Sequence, residues 1–192
     1  MQFRINIVLL NGVGSSGKSS IAKEFQKMAV EPFLHVEMDT FLSMLPEAYH
    51  DHPDGLSFET TIVDEKPSVF AKTGPAAERV LSGMRHAIAE MAAAGNNLIV
   101  DEVIFGNTTT EYGNAVSEYR TLLSPFRVFW VGVFAPLEIL EERERQRRDR
   151  LIGLARWQYE RVHQGMTYDL EISTGRASAR ECAQIIKERF DL

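Results

Sequence analysis

The run Gly12-Val13-Gly14-Ser15-Ser16-Gly17-Lys18-Ser19 carries the strongest chemical signal in the chain. It fits Gly-x4-Gly-Lys-Ser/Thr, a phosphate-binding loop. Glycines let successive backbone N–H groups converge on one anion, and the N-terminus of a following helix adds positive potential. In that chemistry Lys18 reaches the terminal phosphates of ATP, the Ser19 hydroxyl sits on Mg²⁺, and Ser20 opens the helix behind the loop. The plain alternative is a glycine-rich turn. The flanks favour the loop: an apolar, β-branched run over residues 3–10 precedes it, and Ile21, Phe25 and Met28 follow at helical spacing.

Further acids stand where strands end. An apolar segment over 33–38 leads to Asp39. In open α/β sheets ligands bind beyond the carboxyl ends of strands, so Asp39 belongs on the rim with the loop. It is either the N-cap of a helix over 40–45 or the group that binds and deprotonates an acceptor hydroxyl. A second apolar strand over 97–100 runs into Asp101 and Glu102. Asp101 is the candidate to orient Mg²⁺ beside Ser19, and Glu102 the candidate to contact water or acceptor. A charge-dense helix is predicted over 137–150. Its bland reading is a solvated face with i,i+4 pairs Glu141–Arg145 and Glu144–Arg148. Its arginines cluster late, however, and Arg147, Arg148 and Arg150 approach a loop at Gly153, which fits a lid over transferring phosphate.

These groups need a scaffold, and strand and helix patterns alternate along the chain as an α/β fold requires. Helices are predicted over 74–95, 112–123 and 155–162, and a final one ends at 190. Strands are predicted over 127–133 and 168–172. Thr174 lies in a polar loop after the last strand, placed to touch the adenine. Residues 46–72 read as irregular and as part of an acceptor pocket, with Met44, Tyr49, Leu56 and Phe58 as candidate lining. Within it, His50-Asp51-His52 with Asp54 reads either as a metal site or as solvated loop histidines. His163 reads as a helix-end residue or a catalytic one.

The chain has 192 residues, a net charge of −6 and one cysteine, Cys182. That length fits a single domain over 1–192, with a pocket segment at about 40–72 and a lid at about 143–155. The acidic balance gives no reason to expect nucleic acid as partner. Cys182 cannot form an internal disulfide and reads as a small core residue. No apolar run reaches membrane-spanning length. The run over 5–10 is too short for a signal core and leads straight into the loop, so a cytoplasmic protein is expected. A homo-oligomer is compatible with the sequence.

The pieces resemble the chloramphenicol phosphotransferase-like branch of the P-loop kinases. The resemblance rests on Leu10-Asn11-Gly12 running into Ser15–Ser19, on Asp39 with Met44-Leu45-Pro46, on Ile99-Val100-Asp101-Glu102-Val103, and on Trp130–Val133. It continues through Arg143-Glu144, Arg147, Asp149-Arg150 and Gly153, then Val162-His163, Gly165, Tyr168-Asp169 and Glu181-Cys182. It implies a five-stranded parallel sheet with helices on both faces, nucleoside- and shikimate-kinase-like, plus a small lid. It implies ATP- and Mg²⁺-dependent O-phosphorylation of a primary alcohol, chloramphenicol being the type acceptor and antibiotic resistance the type role. Asp39 would be the base, Arg143 would lie at the nucleotide, and Arg147 and Arg150 at the γ-phosphate. Ser16 and Glu102 depart from the family pattern, and residues 46–72 match it poorly, so a different acceptor remains open: a sugar acid, nucleoside or aminoglycoside. A regulatory or toxin-like nucleotide-binding protein is the reading from another class.

Overall fold

A computed structural model describes residues 5–106, 115–147 and 151–192. In chain order its elements are β1 (Asn6–Asn11), α1 (Lys18–Met28), β2 (Phe33–Glu37), α2 (Met38–Leu42), a 3₁₀ turn (Glu47–Tyr49), β3 (Leu56–Val63), β4 (Lys66–Thr73), α3 (Pro75–Ala93), β5 (Asn97–Glu102), α4 (Ala115–Leu122), β6 (Arg127–Phe134), α5 (Leu137–Gln146), α6 (Leu154–Tyr159), β7 (Leu170–Ser173) and α7 (Ala179–Phe190). Five strands pair in the order β2-β5-β1-β6-β7, each neighbouring pair parallel. The expected five-stranded parallel sheet is therefore present.

Alternation along β1 explains why its sequence is continuously apolar. Ile7 and Leu9 point to one face and pack with Leu81, Met84 and Ile88 of α3 and Tyr119 of α4. Val8 and Leu10 point to the other and pack with Ile21 and Phe25 of α1 and Cys182 and Ile186 of α7. Both faces are covered, so no position on the strand faces water. Cys182 is fully buried there, as its core reading requires.

Three expectations are corrected. Within residues 46–72, the stretch 46–55 holds a short 3₁₀ turn and connecting turns, but β3 and β4 form an antiparallel hairpin in full register from Leu56↔Thr73 to Val63↔Lys66. Its turn uses Asp64 and Glu65, both with positive φ (49° and 62°), a two-residue hairpin geometry usually made by Asn-Gly or Asp-Gly. Without glycine at that turn the hairpin left no recognisable signal. The helix near Asp39 begins two residues earlier than expected, at Met38, so Asp39 lies in its first turn and is not its N-cap. Finally α5 ends at Gln146, where Arg147 turns extended. The pair Glu141–Arg145 is replaced by other partners. Arg145 pairs with Glu142 at 2.5 Å, while Glu141 pairs with Arg156 of α6. Glu144 is buried and accepts from the Gly153 and Ala155 amides at 2.7 and 2.8 Å. Arg148 and Arg150, like residues 112–114 of the expected fourth helix, lie outside the described residues.

Glu65 is exposed and its side chain has no partner among the described residues, so its left-handed backbone carries a cost that glycine lacks. Glu65→Gly should raise stability in urea unfolding by about 0.5–1 kcal/mol. A lower midpoint would show that the turn needs the side chain.

Candidate active site

The loop between β1 and α1 is built by close backbone approach. A Cβ on Gly12 would sit 2.4 Å from the Val133 carbonyl of β6, so only glycine lets the loop lie against that strand. Gly17 turns the chain into α1 with φ 97°. The first i→i−4 bond of the helix runs from Ile21 to Gly17 at 3.0 Å, so the preceding amides have no acceptor inside the helix. Gly14, Ser15, Gly17, Lys18, Ser19 and Ser20 all line one cavity of about 660 Å³. Val13 does not, and its side chain is buried beneath α5 and α6.

Side chains from distant elements hold this loop. Gln158 of α6 accepts from the Gly14 amide at 2.7 Å. Thr174 donates to the Ser16 carbonyl at 2.8 Å, and Arg143 donates to Thr174 Oγ1 at 2.8 Å and to the Ser15 carbonyl at 3.4 Å. The Ser16 hydroxyl itself is buried without a hydrogen-bond partner. Asn11, fully buried, accepts from the Ile104 amide at 2.8 Å and donates to the Ile104 carbonyl at 3.0 Å and to Tyr168 Oη at 2.9 Å. Gln158, and Asn11's part in holding the loop, were not foreseen. A lone glutamine or asparagine carries no periodicity that marks such a role.

Behind the loop, Lys18 Nζ donates to the carbonyls of Gly12 (2.9 Å) and Val13 (3.2 Å) and lies 3.7 Å from Asp101. Ser19 Oγ donates to Asp101 Oδ2 at 2.5 Å. Thus the hydroxyl and carboxylate expected to serve Mg²⁺ are together at the cavity wall, and hard oxygen donors of this kind suit that ion. Glu37 and His35 of β2 complete this corner. His35 is pulled below its ordinary pKa by burial, against the opposing charges of Glu37 and Asp101.

Asp39 lines the same cavity, as do Phe58, Arg143, Arg147 and Thr174. The loop, the rim acid and the first hairpin strand therefore share one space. Two expected contacts differ. Met44 is 64% exposed and lies beyond the end of α2; Leu42 lines the cavity instead. Tyr49 packs its ring against His52 and does not line it. Glu102 reaches the wall, but both its oxygens are engaged: Arg85 donates to one at 3.0 Å and Tyr119 to the other at 2.5 Å. Burial pushes its carboxyl up while Arg85 and Tyr119 pull it back. Glu102 anchors Arg85, which also meets Glu118 at 2.9 Å, so at the cavity wall Glu102 has a structural role as well. His50, His52 and Asp54 form no metal cluster among the described residues, and His52 instead accepts from the Asp54 amide. His163 stacks on Phe134 at 3.8 Å and meets the Tyr168 hydroxyl at 2.8 Å, outside the cavity lining.

A strand–loop–helix cradle and a rim acid at the carboxyl edge of a five-stranded parallel sheet define a phosphotransferase of the P-loop kinase class. The sequence pattern of the chloramphenicol phosphotransferase-like proteins matches residues 5–191, and the chain belongs to that family. A protein of Mycobacterium tuberculosis, provisionally assigned as an O-phosphotransferase, is 29% identical over 189 residues, covering 96% of this chain and 81% of the relative. Among solved structures, the M. tuberculosis APS kinase in complex with AMPPNP and APS is similar with TM-score 0.63 and 17% identity, over 98% of this chain and 99% of that one. A sugar kinase from Janibacter sp. is similar with TM-score 0.64 and 18% identity, over 98% and 95%. At these identities the two structures share its fold. Among the described residues no helix is long and apolar enough to cross a membrane.

Burial and the Lys18 charge lower the His163 pKa to about 4. Its unfolded value lies near 6.5, so between those limits the unfolded chain takes up a proton that the folded chain refuses. Stability therefore falls as pH drops from about 6.5 to about 4, by about 1–2 kcal/mol after discounting for partial exposure. His35 acts in the same direction. Urea unfolding of wild type and His163→Phe at pH 7 and pH 5 should show a smaller pH effect in the variant. An equal effect would remove His163 from the account.

Proposed function

We propose that the protein transfers the γ-phosphate of ATP to a hydroxyl of a small acceptor, in the manner of a chloramphenicol 3-O-phosphotransferase. The observation that carries this reading is that Asp39, Lys18 and Ser19 line one cavity with apolar side chains, Leu42, Leu56 and Phe58 among them. An acceptor with an apolar body and a primary alcohol suits that shape.

In this reading the free amides of the loop and of the first turn of α1 cradle the phosphates, and Lys18 turns from the loop carbonyls to the transferring group. Ser19 and Asp101 would hold Mg²⁺, which would supply positive charge against the transferring phosphate. Asp39 orients the acceptor hydroxyl and takes its proton; in a loose transition state, positioning supplies most of the rate. Arg143, anchored by Thr174, lies beside the nucleotide, and Arg147 closes on the γ-phosphate. Arg150 joins it in a lid spanning about 143–155, and the segment over 40–72 shapes the acceptor pocket. The whole chain, 1–192, acts as one kinase domain.

Purified protein with Mg²⁺ and ATP should consume ATP faster when chloramphenicol is added, with a gain of one phosphoryl group on the acceptor by mass spectrometry. Asp39→Asn should reduce kcat by at least about 10²-fold while ATP still binds, as loss of a positioned base requires. Wild-type turnover in that variant would exclude Asp39 as base. Lys18→Ala should lose transfer by a comparable or larger factor, and an unchanged rate would exclude the loop as the phosphate site. Product from another alcohol but none from chloramphenicol would keep the reaction and change the acceptor.

A further inference from the structure

His35, Glu37 and Asp101 converge at the edge of the cavity because of strand geometry. β2 pairs with β5 so that Glu37 lies opposite Asp101, and His35 lies opposite Ile99. Residues two apart on a strand share a face, so the imidazole and both carboxylates emerge on the α1 side of the sheet. His35 Nε2 lies 3.8 Å from Glu37 Oε1 and 3.9 Å from Asp101 Oδ2. Those separations are too long for hydrogen bonds. They are slightly less than twice a metal–ligand distance of about 2.1 Å, and one donor atom from each residue lies within 4.8 Å of the others. The His35 side chain is only 9% exposed, and its Nε2 is buried without a hydrogen-bond partner among the described residues. A buried ring nitrogen left in that state is penalised; Lys18, 3.7 Å from Asp101, offsets that carboxylate, while Glu37 has only His35 beside it as an ion-pair partner among the described residues. A cation between the three would satisfy the nitrogen and offset both negative charges.

We propose that His35, Glu37 and Asp101 form a site for a divalent first-row transition ion, Mn²⁺, Co²⁺ or Zn²⁺, that fills without nucleotide. The donor set decides the class. One imidazole with two carboxylates suits these ions, whereas Mg²⁺ takes oxygen ligands and is bound largely through substrate phosphates. The site shares Asp101 with Ser19 and extends away from the phosphate loop along β2. A sequence of the form His-x-Glu on one strand, with an Asp on its neighbour, is all it needs.

The test is titration of the nucleotide-free protein with MnCl₂, followed by electron paramagnetic resonance of the free ion. CoCl₂ is the second probe, read by visible absorption, where a nitrogen ligand changes the band. Wild type should bind one Mn²⁺, and His35→Gln and Glu37→Gln should each bind roughly 10–100-fold more weakly. A tenfold excess of MgCl₂ should not displace the ion. Thermal unfolding and Mg·ATP binding of both variants establish that they are folded. Equal Mn²⁺ affinity in wild type and His35→Gln would overturn the site, as would no binding below millimolar Mn²⁺, which would leave a bridging water between these groups. Phosphoryl transfer with Mg²⁺, measured separately, stands or falls independently of this result.

Discussion

The site depends on parallel pairing of β5 between β1 and β2. That pairing sets Leu10 opposite Asp101 on one side and Glu37 opposite Asp101 on the other. Because side chains alternate, the two acids ending β5 go to opposite faces. Asp101 meets Ser19 and Lys18 on the α1 side, while Glu102 meets Arg85 and Tyr119 between α3 and α4. A slip of one residue would exchange them, placing Glu102 at the phosphate loop and burying Asp101 in a pocket shaped for a longer chain. Two neighbouring carboxylates thus acquire different work from one hydrogen-bond ladder.

Buried polar side chains then fix the loop against the sheet. Asn11, Gln158, Glu144 and Thr174 each bind main-chain groups of another segment. Each such bond contributes only about 1 kcal/mol net, but leaving a buried partner unmet costs more. The arrangement is therefore specified as much by the penalty for alternatives as by attraction. Glu144 is the clearest case. It stands in a run of charged residues that would suit a solvated face, yet it is buried and accepts two amides at the start of α6. Through it, α5 and α6 are held together beside the nucleotide end of the cavity.

The hairpin supplies part of the cavity wall, through Leu56, Phe58, Ala71 and Thr73. β4 lies against α6, with the Val69 amide donating to the Gly153 carbonyl at 3.0 Å and Phe70 packing edge-on against Trp157 at 4.9 Å. A Cβ on Gly153 would meet the Pro67 carbonyl at 2.5 Å, so this contact needs glycine for space as well as for its φ of 104°. The hairpin that walls the cavity is thus coupled to the segment that follows α5.

Much of this was legible in the chain. The phosphate loop, Asp39 and Asp101 stand at strand ends because local signals put them there: apolar runs of strand length, glycines and the helical spacing behind them. The parallel strands were legible because burial on both faces leaves continuous apolar runs. The hairpin was not, since β3 is exposed at most positions and its turn lacks glycine. Nor were Arg85 and Gln158, whose partners lie 17 and 144 residues away. Local periodicity thus settled the fold class and the phosphate site, because those rest on short-range backbone geometry. Which carboxylate meets the loop, which residues wall the acceptor and what surrounds His35 rest on register and on contacts between distant segments, and those exist only once the chain is folded.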